Sequence, residues 1–153
     1  MKKFLCLLLV LGLLGCANGN QTAGKGRQAQ TFMEQGLTQM QQRHYDAAIA
    51  SFGQAAALQP QSAVAHNLLG MAYRFKYNQV RSQELKDKEI AAFQKAVEAD
   101  PNYWVALINL GVSYYFIGEK AKAAPLFRRA LELNPNHPEK EQILTLIAEG
   151  EKQ

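Results

Sequence analysis

The stretch from Leu107 to Pro135, LINLGVSYYFIGEKAKAAPLFRRALELNP, decides the fold. Leu107, Leu110, Gly111 and Tyr114 share one face of a helical period, Ala123, Phe127 and Ala130 share another, and Pro135 closes the unit. The pattern occurs twice more upstream. The middle copy reads Leu69, Gly70, Tyr73, then Phe93, Ala96 and Pro101. The first reads Phe32, Gly36, then Ala48, Phe52, Ala55 and Pro60. Both Phe93 to Phe127 and Pro101 to Pro135 are 34 residues apart. Self-similarity at a fixed period marks a solenoid, whose units bury their apolar faces by stacking on neighbours.

The recurring residue types have a physical reading. Gly36, Gly70 and Gly111 fall inside helices, where glycine costs about 0.5–1 kcal/mol relative to alanine. Their recurrence implies that a neighbouring helix crosses too closely for a side chain. Ala55, Ala96 and Ala130 are expected to supply the matching small surface on the second helix of each pair. Phe52, Phe93 and Phe127 are the large knobs. Pro60, Pro101 and Pro135 each end a helix by forcing the preceding residue out of helical geometry.

With these residues at this spacing, the chain resembles the tetratricopeptide repeat family over roughly residues 28–150. The resemblance implies an all-α fold, a short solenoid of three helix pairs at 29–62, 63–103 and 104–136. A C-terminal capping helix over 137–153 follows, with Ile143, Leu146 and Ile147 as its apolar stripe. In repeat register, Leu144 and Thr145 stand where Leu110 and Gly111 stand. The family also implies a binding scaffold and no enzyme activity.

The N-terminus reads as a targeting segment over 1–15. Lys2 and Lys3 precede an apolar run, Phe4 to Leu14, of 11 residues. A bilayer span needs ~17–25 residues, whereas a secretory signal core needs ~7–15. The run ends in Leu13-Leu14-Gly15-Cys16, which resembles the bacterial lipoprotein cleavage box and implies lipidation of Cys16. An ordinary secretory signal with an incidental cysteine is the alternative. Cys6 would leave with the signal, so Cys16 would have no intrachain disulfide partner. Residues 16–28 lack aromatic and branched aliphatic side chains and read as a flexible tether. By resemblance to sorted lipoproteins, Ala17 after the cysteine implies the outer membrane, facing the periplasm.

Charge argues against nucleic acid. The full chain carries +4, and loss of Lys2 and Lys3 leaves 15 basic against 13 acidic residues. That balance is too slight for an electrostatic nucleic-acid footprint. Nucleotide binding is also disfavoured. Residues 19–26, GNQTAGKG, imitate a phosphate loop as far as Lys25, but then supply Gly26 where a serine or threonine is required. His44, His66 and His137 lie far apart and form no metal-ligand spacing, so no metal or other cofactor is expected. No catalytic motif is present.

The middle copy departs from the period. Phe52 to Phe93 is 41 residues, seven more than the later spacing. The extra residues are expected to lengthen the first helix of that pair past Tyr77 and start the second near Ser82. Arg74, Lys76 and Arg81 then form a small basic lobe, either solvated decoration or a partner contact. Glu89 takes the slot that Ala48 and Ala123 fill elsewhere; a longer, splayed pair would let it reach solvent, and a tight one would not.

The inner helices carry the functional expectation. The run Trp104 to Phe116 is apolar nearly all round, so it is buried all round or keeps a face for a ligand. Ile108, Val112 and Tyr115 lie on that second face, and Met33, Leu37 and Met40, then Asn67, Met71 and Arg74, match them in the other copies. This set resembles the peptide-binding concave face of the family; a tightly wound solenoid would make the same face partly core. A carboxylate-gripping groove is disfavoured, because Met33 and Leu37 stand where polar grips belong. The combined expectation is a membrane-tethered adaptor in assembly of a pilus, secretion or cell-wall machine. The alternative is a periplasmic holding chaperone or carrier for hydrophobic segments.

Overall fold

Three phenylalanine rings lying on three glycines fix the helix pairs. In the computed structural model, which describes residues 11–152, a Cβ on Gly70 would stand 2.6 Å from Cε1 of Phe93. One on Gly111 would stand 2.7 Å from Cε1 of Phe127, and Gly36 meets the ring of Phe52 in the same way. All three rings are fully buried. The close approach expected at the glycines is therefore present, but its partner is the aromatic ring and not the alanine. Ala55 instead packs in a cluster with Ala29, Ala56 and Ala65, joining one pair to the next. Ala96 and Ala130 are buried likewise.

The chain order is α1 (Leu11–Gln41), α2 (Tyr45–Leu58), α3 (Ala63–Val80), α4 (Gln83–Ala99), α5 (Trp104–Phe116), α6 (Lys120–Leu133) and α7 (Lys140–Gly150). The described residues contain no strand. Each helix packs on its chain neighbour, and among the odd-numbered helices α1 also touches α3 and α3 touches α5. They form the inner layer, with α2, α4 and α6 outside.

The first helix corrects an expected boundary. The backbone is helical from Leu11, through the stretch expected to be a flexible tether. Ala29, fully buried, and Phe32 anchor the helix downstream. Once such a turn is fixed, elongation adds one hydrogen bond per ordered residue without a new nucleation cost. The expected targeting segment falls partly on residues 1–10, outside the described residues. For residues 11–22, Cys16 included, the backbone alone is described.

The insertion lies where expected. Helix α3 has 18 residues against 13 in α5. It ends at Arg81, a left-handed residue at φ 54° whose N–H donates to the carbonyl of Tyr77. Ser82 takes the N-cap position of α4, without a side-chain hydrogen bond. Helix α6 continues unbroken across the exposed Pro125.

At the C-terminal end, Ile143 and Ile147 bury against Ala123, Ala124, Phe127 and Leu131, with Leu146 at the margin. Gly150 lets α7 approach the start of α6; a Cβ there would lie 2.8 Å from that of Ala124. Leu144 and Thr145 are exposed and do not play the parts of Leu110 and Gly111. Those parts require a following helix to pack on that face, and none lies there among the described residues.

Candidate peptide-binding face

The inner layer carries a polar network that locks its middle to its outer partner helix. Glu89 sits fully buried in α4 and does not reach solvent. Its Oε1 accepts from Arg74 Nε at 2.8 Å and from Ser113 Oγ at 2.7 Å, and its Oε2 accepts from Lys86 Nζ at 2.6 Å. Burial of an ion is tolerable only with such full pairing. Arg74 further donates from Nη1 to Asn109 Oδ1 at 2.9 Å and from Nη2 to the Asn109 carbonyl at 2.8 Å. A last donation runs from Nη2 to Ser113 Oγ at 3.0 Å. Its guanidinium also lies 4.7 Å from the centroid of the Phe93 ring. Asn109 Nδ2 in turn donates to Asn67 Oδ1, and Asn67 Nδ2 points to the sulfur of Met71 at 3.8 Å.

This network changes the expected site. Asn67 and Arg74 were expected to face a ligand; Asn67 is buried, and four of the five N–H groups of Arg74 are engaged internally. Ile108, Val112 and Tyr115 are half-buried against the core of Ala123, Phe127 and Ile143. The Tyr115 hydroxyl donates to Glu149 Oε2 at 2.7 Å, and Lys120 donates to the same oxygen at 2.8 Å. Lys120, and then Tyr115, hold the Glu149 carboxyl below its ordinary pKa, while Glu149 raises that of Lys120. Tyr115 is thus tied to α7, a poor position for a binding anchor. Met33 leans on the Ala29 cluster and Met40 on the cluster of Ala48, Phe52 and Ala72. Met71 is half-buried.

What remains open is narrower. Leu37 in α1 and Val64 in α3 are 45% and 46% exposed. Beyond them, at the end of the lengthened α3, a pocket of about 340 Å³ opens among Arg74, Tyr77, Arg81, Lys86, Val112 and Phe116. Sequence reasoning named Arg81 only as part of a lobe and missed Lys86, Asn109 and Ser113. The signal was available: an acid in an alanine slot, and Asn109 and Ser113 one turn apart in an otherwise apolar helix. Among the described residues no cluster of His, Cys, Asp or Glu is arranged to hold a metal, and no helix is long and apolar enough to cross a membrane.

A solenoid of stacked helix pairs with a partly open inner layer defines a class of interaction scaffold. The repeats are tetratricopeptide repeats: residues 33–74 and 104–137 each match a model of that family. The chain is 35% identical over 109 residues to tetratricopeptide repeat protein 37 of Xenopus laevis, covering 71% of this chain and 7% of that one. It is 30% identical over 95 residues to the protein O-mannosyl-transferase TMTC1 of Mus musculus, covering 62% and 10%. The chain therefore spans a tenth or less of the length of these curated relatives. Among solved structures, the first repeat domain of Spaghetti (RPAP3) bound to the HSP90 peptide SRMEEVD superposes with TM-score 0.71 at 21% identity, covering 84% of this chain and 96% of that one. MamA gives TM-score 0.67 at 27% identity, covering 81% and 68%. Repeats of this family form protein-interaction scaffolds.

Proposed function

We propose that this chain is a lipid-anchored adaptor of the bacterial envelope, held on the outer membrane by acyl chains on Cys16. In this reading its inner face takes a segment of a protein partner within an assembly of the pilus, secretion or cell-wall type. The observation that carries the binding half is the exposure of Leu37 and Val64 on adjacent inner helices, beside the half-buried Met33 and Met71. Large apolar side chains aligned on a concave layer suit an amphipathic segment, and methionine adapts to irregular shapes. Peptide occupancy of the same fold in the Spaghetti structure supports this use. The anchoring half rests on the Leu13-Leu14-Gly15-Cys16 box. Several acyl chains would hold firmly, since each buried CH₂ contributes ~0.8 kcal/mol and one chain alone is marginal.

Cys16→Ser tests the anchor. The variant is expected to stay uncleaved or to leave the membrane fraction, followed by gel mobility and fractionation of intact cells. Cleaved, membrane-bound protein of normal mobility in that variant would remove the lipid from the account. A holding function would show instead as suppressed aggregation of many unrelated clients.

A further inference from the structure

The seven-residue insertion within the middle repeat, between its two helices, builds a pocket that the helix-pair pattern does not require. Lengthening α3 carries Tyr77 and Arg81 beyond the neighbouring pairs, over the start of α4 and the end of α5. The lining has three cations, Arg74, Arg81 and Lys86, against one carboxylate, Glu89. Arg74 and Lys86 are both spent on Glu89, so the surplus charge is displayed at Arg81. Among the described residues Arg81 has neither an ion-pair partner nor a side-chain hydrogen bond. Tyr77 holds it in place: the guanidinium lies 5.5 Å from the ring centroid, and the Lys86 ammonium lies 4.2 Å from the same ring.

Part of the lining is apolar and uncovered. Phe116, at the last position of α5, is 77% exposed, the highest value among the exposed large hydrophobic residues of the described chain, and Ile117 beside it is 40% exposed. An exposed phenylalanine and an unneutralised arginine lining one pocket of about 340 Å³ match a ligand with an acid beside an apolar group. A cationic ligand would meet net like charge, and a purely apolar one would leave the arginine without a partner.

We infer that this pocket receives an acidic side chain of the partner segment, paired with Arg81, while a bulky apolar neighbour in that segment packs on Phe116. The inference rests on the reading of the inner layer as a peptide-binding face and adds the chemistry of its anchor. It does not use Asn67 and Arg74, the polar groove positions, since both are turned inward.

The test uses the full chain in detergent and short fluorescent peptides, capped at both ends, that alternate glutamate with leucine. Matched peptides carry lysine or glutamine in place of glutamate, and another has no glutamate but a free C-terminal carboxylate. Anisotropy titrations are expected to give at least about tenfold tighter binding for the glutamate peptide than for the lysine peptide. The advantage should shrink as salt is raised. Arg81→Glu should weaken the glutamate peptide about tenfold and Phe116→Ala about fivefold, because arginine and aromatic anchors dominate such contacts. Both positions are exposed, so circular dichroism should be unchanged. Equal affinity for the glutamate and lysine peptides, or no effect of Arg81→Glu, overturns the inference. Equal binding by the free-carboxylate peptide overturns the side-chain assignment. If a glutamine peptide binds as well and responds to Leu37→Asp but not to Arg81→Glu, the acidic anchor falls and the inner-face reading stands. Failure of every peptide to bind removes both.

Discussion

Gly111→Leu is expected to destabilise the chain by about 3 kcal/mol, lowering the thermal midpoint by roughly 10 °C. Even the first carbon of the new side chain would stand 2.7 Å from Phe127. The ring has no room to retreat, because it is fully buried among Ala123, Ala124, Leu131, Ile143 and Ile147. The contact also lies in the pair on which α7 is stacked, so strain there is passed to the C-terminal end. Gly24→Leu is the control, since nothing lies within 4 Å of its Cβ position. It should be neutral or slightly stabilising through helix propensity. Adding Phe127→Ala to Gly111→Leu should recover part of the loss by exchanging volume across the contact. Equal melting of the Gly111 and Gly24 variants would contradict the repeat register.

The second large effect belongs to the buried network. Arg74→Met removes the Nε donation to Glu89 and leaves that fully buried carboxylate with Lys86 and Ser113 alone. Removing one partner of a buried ion pair costs about 3–5 kcal/mol, because the remaining charge is stranded. Glu89→Ala restores the residue that the other two copies carry at Ala48 and Ala123. Because Glu89→Ala alone would strand the buried Lys86, the combined variant Arg74→Met, Lys86→Met and Glu89→Ala is expected to regain most of the loss in urea denaturation. A combined variant no more stable than Arg74→Met alone would show that the buried charge cluster is not the source of the effect.

This network also marks the limit of what the sequence made legible. Glycine, phenylalanine and proline at a fixed period were enough to place six helices in three pairs, because each type has one dominant backbone or steric role. The partner of each glycine was less clear: Ala55 and Phe52 lie on the same helix, and only the packed structure shows which one faces Gly36. Local composition alone misplaced the start of α1. Residues 17–28 include no aromatic or branched aliphatic residue, yet the helix anchored at Ala29 and Phe32 extends back through them. Arg74 and Asn67 sat at the expected register of an inner face. Their orientation depended on Glu89, 15 residues from Arg74, and on Asn109, 42 residues from Asn67. The first pairing is set by packing within the middle helix pair and the second by stacking of one repeat on the next, which no single-helix pattern records. The pocket at Arg81 and Phe116 was visible in sequence only as seven residues too many.

The measurement that bears most directly on the inner-face account is site-specific photo-crosslinking in intact cells expressing the full chain. A photoreactive residue replaces Leu37 or Val64 on the inner helices, or the exposed Lys140 on α7 as control. The account predicts one discrete protein adduct shared by positions 37 and 64 and absent at position 140. No adduct at 37 and 64, or the same adducts at all three positions, would contradict it.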